Sequence, residues 1–293
     1  MGQTTTDLIS QIKLQGSFPS SDSLFSNANY LSMLNSEISK EIVPLLNKIN
    51  EEYFLISQDI TVTPDKKYYR IPARAVGSAL RDVQLVTSSS NVVSLTRLYE
   101  ENRTSVSGNQ QGYFLRSNLV EISPIPTNSS DILKLLYFRR PSKFVLPSAC
   151  AQIESIDTVL KQVVVSSLPS VMTTNTLVDF VQANSPYDIL EMDYEISGVS
   201  GTTISFTELP EDLAQGDYIC LAGESCVPMV PEELVPVLVQ AALCTALSSK
   251  KDKSVELELQ KLTQMKESIL EMLSPRVKSN DKKVVNQNSF LWK

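Results

Sequence analysis

The chain has 293 residues, of which 42% are hydrophobic, and its formal net charge is -7 at pH 7. This hydrophobic content allows a substantial core in one large domain or two smaller ones, and the negative charge argues against nucleic-acid binding over the whole surface. The chain contains no histidine, which excludes Ser-His-Asp and Cys-His catalysis and the H-E-x-x-H metalloproteases. No apolar run approaches the ~20 residues of a membrane helix, and no basic segment precedes an apolar one at the N-terminus, so neither a membrane span nor a secretory signal is expected.

The first predicted elements are two helices. Residues 7–15 form a short amphipathic pattern, and Gly16 stands where a C-terminal glycine cap belongs. A long helix is predicted from an N-cap at Asn27. Its apolar stripe recurs every three or four residues and consists of Leu31, Leu34, Ile38, Ile42, Leu45, Ile49 and Tyr53. Pro44 falls inside this stripe and is expected to kink the helix, or less readily to end it.

From about residue 60 the pattern changes to that of strands. Segments rich in Val, Ile, Leu, Thr, Tyr and Phe are separated by Ser, Asn, Gly and Pro, and they cover residues 83–86, 92–98, 112–122, 133–138 and 153–167. Residues 176–197 predict one or two further strands, and residues 196–203 predict a hairpin turn into 204–207. Short strands without intervening helices favour an antiparallel β-sandwich or barrel.

Helical periodicity returns at Pro231, where a proline followed by two glutamates is typical of a helix start. A second helix is predicted from Ser254 to Pro275. The remaining residues, 276–293, carry five basic side chains against one acidic side chain and end in an aromatic cluster. We interpret this tail as a segment that docks into a groove on a partner and orders on binding. A DNA-binding arm is the less favoured alternative.

These elements predict an α+β fold, in which a helical bundle is built from both chain ends and an antiparallel β-sandwich or barrel-like domain is inserted into it. An extended C-terminal tail follows. The predicted domains are residues 1–60 and 229–275 for the two parts of the bundle, 61–228 for the inserted β-rich domain and 276–293 for the tail.

Charge is concentrated among small and apolar residues in the stretch 69–83. Its charged members are Arg70, Arg74, Arg81 and Asp82. Such a set can position phosphate or carboxylate groups. Because no nucleophile–base pair stands nearby to act on a bound group, a salt-bridged structural segment or an intersubunit contact is the favoured interpretation.

No catalytic, cofactor or metal site is predicted. The four cysteines, Cys150, Cys220, Cys226 and Cys244, form no C-x-x-C pair, and we expect them to be buried, reduced thiols. Zinc is not expected, because the chain has no histidine to complete a mixed site. Adjacent glutamates, as at 51–52 and 232–233, point in different directions on a helix and cannot act as a catalytic pair.

The charged stretch reads R-I-P-x-R-A-x-G-x-x-L-R-D-V over residues 70–83, and it resembles a pattern found in head-to-tail adaptor (connector or neck) proteins of tailed bacteriophages. Further segments resemble that family in the expected order. They are residues 113–124, 136–141, 209–218, 228–234, and 276–278 with Leu291-Trp292 at the end. Together they cover most of the chain.

The resemblance implies a virion structural protein, not an enzyme, that forms a ring of commonly twelve subunits beneath the portal at the capsid vertex after synthesis in the host cytoplasm. Such a ring extends the DNA channel without sequence-specific DNA binding. Its implied partners are other copies of the chain, the portal, tail or neck proteins, and capsid or collar proteins. The residues expected at partner contacts are Arg70, Arg74, Arg81, Asp82, Arg276, Lys278, Lys282, Lys283, Leu291 and Trp292.

Three alternatives belong to other classes. Another phage neck or tail-completion protein is disfavoured by the large β-region and the long C-terminal helices. A nucleic-acid-binding accessory factor would reveal itself by steep salt-dependent DNA binding. An enzyme using carboxylates or lysine lacks a supporting constellation of residues.

Overall fold

The structure of the chain is a computed structural model, and it describes residues 2–19, 25–99, 101, 111–127 and 129–273. Its helical elements are α1 Thr5–Gln15, α2 Asn27–Glu37, a π-helical turn Ile38–Ile42, α3 Val43–Ile49, α4 Val235–Ser249 and α5 Val255–Leu273. α4 is apolar on almost every side, so it is buried, and it packs against α1, α2 and α5 in one hydrophobic core. Among the described residues, no helix is both long and apolar enough to cross a membrane.

Pro44 lies within a continuous helical run instead of ending it. The π-helical turn precedes the proline, and the Val43 N–H donates to the Ile38 carbonyl five residues back. Pro44 has no N–H of its own, and this wider turn adjusts the backbone ahead of its ring. The run stops at Asn50, whose Oδ1 accepts from the Glu52 N–H at 3.0 Å, so the chain leaves the helix before the predicted apolar stripe ends.

Gly16 caps α1, but not in the left-handed conformation that such glycines often adopt. Its φ is -81° and its N–H donates to the Ile12 carbonyl at 2.9 Å. A Cβ at this position would lie 2.5 Å from the Phe18 ring and 2.9 Å from Leu243. Close packing therefore explains the glycine here, and not backbone conformation.

Two four-stranded sheets form what we call the first β unit. One has the order β1-β8-β3-β4 and the other β2-β7-β6-β5. Their strands are β1 Leu55–Thr61, β2 Tyr68–Arg70, β3 Asp82–Val86, β4 Val92–Ser94, β5 Thr96–Arg97, β6 Gly112–Arg116, β7 Leu119–Ser123 and β8 Ile132–Phe138. Both sheets contribute to one core, in which Tyr69, Val83 and Leu135 are buried.

A seven-stranded antiparallel sheet forms the second β unit, in the order β13-β12-β16-β10-β11-β15-β14. Its strands are β10 Ala151–Asp157, β11 Gln162–Val165, β12 Leu177–Val181, β13 Ile189–Glu195, β14 Gly198–Ser200, β15 Thr203–Ser205 and β16 Tyr218–Leu221. A two-stranded parallel ribbon of β9 Lys143–Phe144 and β17 Glu224–Ser225 borders it. Asn35 of α2 joins this ribbon to the helices, because its amide bonds both the N–H and the carbonyl of Phe144, at 2.7 and 3.1 Å.

The predicted fold class, a helical bundle from both chain ends carrying one inserted β-sandwich or barrel, is wrong. The described chain is built mainly on β-sheet, in sheets of four, seven, two and four strands, with few helices. The β-region also does not share one core, because the two β units bury their side chains in separate clusters. Strand propensity and turns reveal each short strand, but not which sheet the strand joins.

Candidate functional site: the arginine junction between the β units

Arg74 joins the two β units. It lies in the loop between β2 and β3, where Ile71 and Ala75 on either side are buried in the core of the first β unit. Its Nη2 donates to Asp179 Oδ1 of the second β unit at 2.8 Å, and lies 3.0 Å from Asp193 Oδ1. The Arg74 side chain is 12% exposed and that of Asp179 is 0% exposed. The central arginine of the motif is therefore held in a largely buried ion pair.

Asp179 organises three segments around its carboxylate. Besides the Arg74 guanidinium, Oδ1 accepts from the backbone N–H of Asp193 at 3.0 Å, and Oδ2 accepts from that of Gly223 at 3.0 Å. Asp179 lies on β12 between Val178 and Phe180, which pack in the opposite core of the second β unit. Because successive strand residues point to opposite faces, this placement turns the carboxylate towards Arg74. A buried carboxylate with these donors satisfies the requirement that buried charge be paired.

A second arginine shares the junction. Arg139 follows β8 and is partly buried, and its Nη1 lies 3.7 Å from the Met192 sulfur. Burial lowers the pKa of Arg139, and the neighbouring Arg74 lowers it further, whereas Asp179 opposes both effects. Asp179 thus compensates one largely buried and one partly buried guanidinium group, and the junction depends on its negative charge.

Beside the junction lies an open cleft of about 350 Å³. Its lining consists of Gln58, Pro72, Ala73, Arg74, Arg140, Pro141, Asp193, Ala222 and Gly223. Arg74 Nη1 and Arg139 Nε are buried at the junction, without a hydrogen-bond partner among the described residues. The lining includes the guanidinium groups of Arg74 and Arg140, so the cleft is suited to receiving a carboxylate or a backbone carbonyl.

The remaining predicted contact residues do not gather at this junction. Arg70 is exposed on β2, and Arg81 is an exposed side chain whose Nη2 lies 3.8 Å from Glu51 Oε1. Asp82 is occupied locally, because its carboxylate accepts from the Val83 N–H, Gln84 Nε2 and Ser94 Oγ at 2.8–2.9 Å. The predicted tail contacts lie outside the described residues, and they are Arg276, Lys278, Lys282, Lys283, Leu291 and Trp292.

The acidic half of the junction was missed by the sequence analysis. Asp179 did carry a signal, because it interrupts the apolar run Leu177–Val181 that reads as a buried strand. A lone carboxylate at such a position requires a cationic partner. Its partner lies 105 residues away in the chain, and no spacing rule connects the two.

Among the described residues, one group of three or more potential metal donors is found, and it consists of cysteine sulfurs. The Sγ atoms of Cys150, Cys220 and Cys226 all lie within 4.8 Å of one another, and all three side chains are buried. Burial raises the pKa of the Cys220 thiol well above its ordinary value. The predicted burial of all four cysteines is confirmed, but the meeting of three of them was not foreseen.

Replacing Asp193 with asparagine should change the free energy of unfolding at neutral pH by less than about 0.5 kcal/mol. Burial and the nearby Asp179 raise the pKa of Asp193 above 3.8 despite the attraction of Arg74, so folding favours its protonated form. The cost of its charge is absent below the unfolded-state pKa and fully present above the folded-state pKa. Urea unfolding at several pH values should therefore show that the free energy of unfolding of D193N rises relative to that of wild type between about pH 3 and neutral pH. If D193N instead lost stability relative to wild type over that interval, the raised pKa of Asp193 would be contradicted.

Comparisons with known proteins assign no family. Neither the search of protein-family models nor the search of curated proteins finds a match for this chain.

Proposed function

We propose that this chain is a structural protein of a tailed-phage virion, a head-to-tail adaptor that forms a ring beneath the portal. The ring would extend the DNA channel and seat tail or neck proteins. The observation that carries the proposal is the use made of Arg74, the central arginine of the adaptor-like motif. Its guanidinium ties two β units together through a buried carboxylate, and the cleft beside it is lined by a second arginine, Arg140.

A ring subunit has to transmit load between neighbours, and a rigid joint between its sheets suits that task. Asp179 crosslinks the first β unit, β13 and the turn at Gly223. The cleft also offers guanidinium groups from Arg74 and Arg140 to an acidic segment of a neighbouring protein. Both features support an assembly role over a catalytic one.

The test is assembly on the portal. Purified chain is mixed with its cognate portal, and the mixture and the portal alone are imaged by negative-stain electron microscopy. We expect a second ring stacked coaxially on the portal, and its averaged views would give the subunit number. A well-formed portal without added density would overturn the adaptor proposal, and salt-dependent DNA binding would then be measured.

Deleting residues 276–293 should abolish docking on the portal while leaving the fold intact. The reason is the proposed role of the tail, whose basic side chains and terminal aromatic cluster suit a groove on a partner. Circular dichroism and the melting temperature report on the fold, and the same micrographs report on docking.

Two full-length variants separate the contributions of charge and of the aromatic end. One replaces Lys278, Lys282 and Lys283 with glutamine, and the other replaces Leu291 and Trp292 with alanine. If the truncated chain docks as well as the intact one, the tail hypothesis fails, although a ring on the portal would still support the adaptor proposal.

A further inference from the structure

Three cysteines that are distant in sequence meet in one buried cluster. Cys150 directly precedes β10, Cys220 lies on β16, and Cys226 directly follows β17. The antiparallel register pairs Ala151 with Ile219, which places Cys150 opposite Cys220, and the Cys220 Sγ donates to the Cys150 Sγ at 2.9 Å. None of the three side chains is more than 2% exposed.

The donor set of this cluster is chemically uniform. It contains three sulfurs and no carboxylate, and the surrounding cluster includes the apolar side chains of Val181 and Val227 and the thioether of Met229. Soft thiolate and thioether ligands select soft ions over magnesium or calcium, which prefer oxygen. The absence of histidine from the chain does not count against such a site, because sulfur ligands alone are sufficient.

We propose that Cys150, Cys220 and Cys226 form a structural site for one thiophilic metal ion, either Zn(II) or Cu(I). On binding, three S–H bonds break, three metal–sulfur bonds form, and three protons pass to solvent, so the metal changes no oxidation state. The Zn(II) complex keeps a net charge of one minus from the three thiolates. The N-terminal end of α1 stands beside it, because the Thr5 N–H donates to the Cys226 carbonyl at 2.8 Å, and the positive end of a helix favours negative charge.

The ion would act as a staple between the sheet and the helices. It would join the residue before β10 to β16 and to the residue after β17. Through Cys226 it would also hold the start of α1. The three sulfurs are shielded from solvent. They would complete a trigonal sulfur set for Cu(I), whereas a tetrahedral Zn(II) would take its fourth ligand from outside the three cysteines.

Metal content of the full-length chain tests this proposal. The chain is produced in medium supplemented with zinc or with copper, purified under a phosphine reductant without oxygen, and analysed by inductively coupled plasma mass spectrometry. We expect about one ion per chain and a higher melting temperature than for the metal-free chain. Competition against a chromogenic chelator for Zn(II), and against one for Cu(I), identifies the preferred ion.

Cysteine variants show whether the cluster holds the ion. Cys220→Ser removes one sulfur and should weaken binding by about tenfold or more. Cys244→Ser is the matched control, because Cys244 is buried in the helical core and lies outside the cluster, and it should retain the ion. If C220S does not fold, Cys226→Ala serves as the second variant, and chelator competition on wild type remains decisive. A wild-type chain that yields both ions to the chelators, or equal loss in C244S, would overturn the proposal.

Discussion

Replacing Asp179 with asparagine should destabilise the fold by about 3–5 kcal/mol, the cost of removing one partner of a buried ion pair. The carboxylate is fully buried and faces the largely buried Arg74, and it also offsets the charge of Arg139. Asparagine keeps the size of the side chain but only one acceptor oxygen, so its NH2 group would face one of the two backbone N–H donors. The loss therefore reports the charge and one hydrogen bond, and not a cavity. Urea unfolding followed by far-UV circular dichroism measures it, since the midpoint should fall at an unchanged slope.

Two comparisons assign that loss to the junction. D193N removes a carboxylate from the same guanidinium at 3.0 Å, but from a half-exposed position, and should be nearly neutral. Combining Arg74→Met with D179N should cost less than the sum of the two single losses, by about 1–3 kcal/mol, because each single change leaves a buried group without its partner. Strict additivity would show that Arg74 and Asp179 do not depend on one another.

Local features of the fold were open to prediction where neighbouring residues determine them. The hairpin of β14 and β15 turns at Gly201, whose φ of 60° suits a glycine. The sequence predicted a turn over residues 196–203, of which 198–200 form β14 instead. Strand β1 was missed, because the predicted helical stripe extends to Tyr53. The helix instead ends at Asn50, whose side-chain oxygen accepts a hydrogen bond from the Glu52 N–H. The chain therefore leaves the helix before Leu55, where β1 begins.

Pairings between distant residues were not open to prediction from a single sequence. The motif arginines were recognised as a structural or contact set, but their sequence does not distinguish Arg74, which enters the junction, from Arg70, which stays exposed. That distinction depends on Asp179, which reaches the loop only because β12 packs beside it. Likewise, the register of β10 against β16 unites cysteines that no spacing motif connects. The fold class was wrong for the same reason, since sheet membership depends on non-local pairing.

Phe180→Ala should destabilise the chain by about 3–5 kcal/mol, through lost burial and the cavity that remains. Phe180 adjoins Asp179 on β12 but faces the other side, where its ring centroid lies 4.9 Å from that of Phe206 and 5.7 Å from that of Tyr194. It is fully buried, so little rearrangement can fill the space. Urea unfolding measures the loss, and hydrogen exchange should show the amides of β12 and β16 opening first.

Two control variants separate packing from other effects at this strand. Phe180→Leu keeps most of the apolar volume and should lose only about 1–2 kcal/mol, whereas Val159→Ala, at a side chain 87% exposed, should stay within about 0.5 kcal/mol of wild type. F180A removes no charge, so the stability that it loses relative to wild type should be the same at high salt and across pH. The loss in D179N, in contrast, arises from charge that Arg74 and Arg139 share. The alternating residues of β12 indicate that one face of the strand packs in the core and the other face contacts the junction. A cost below about 1 kcal/mol for F180A would contradict the core packing of the first face.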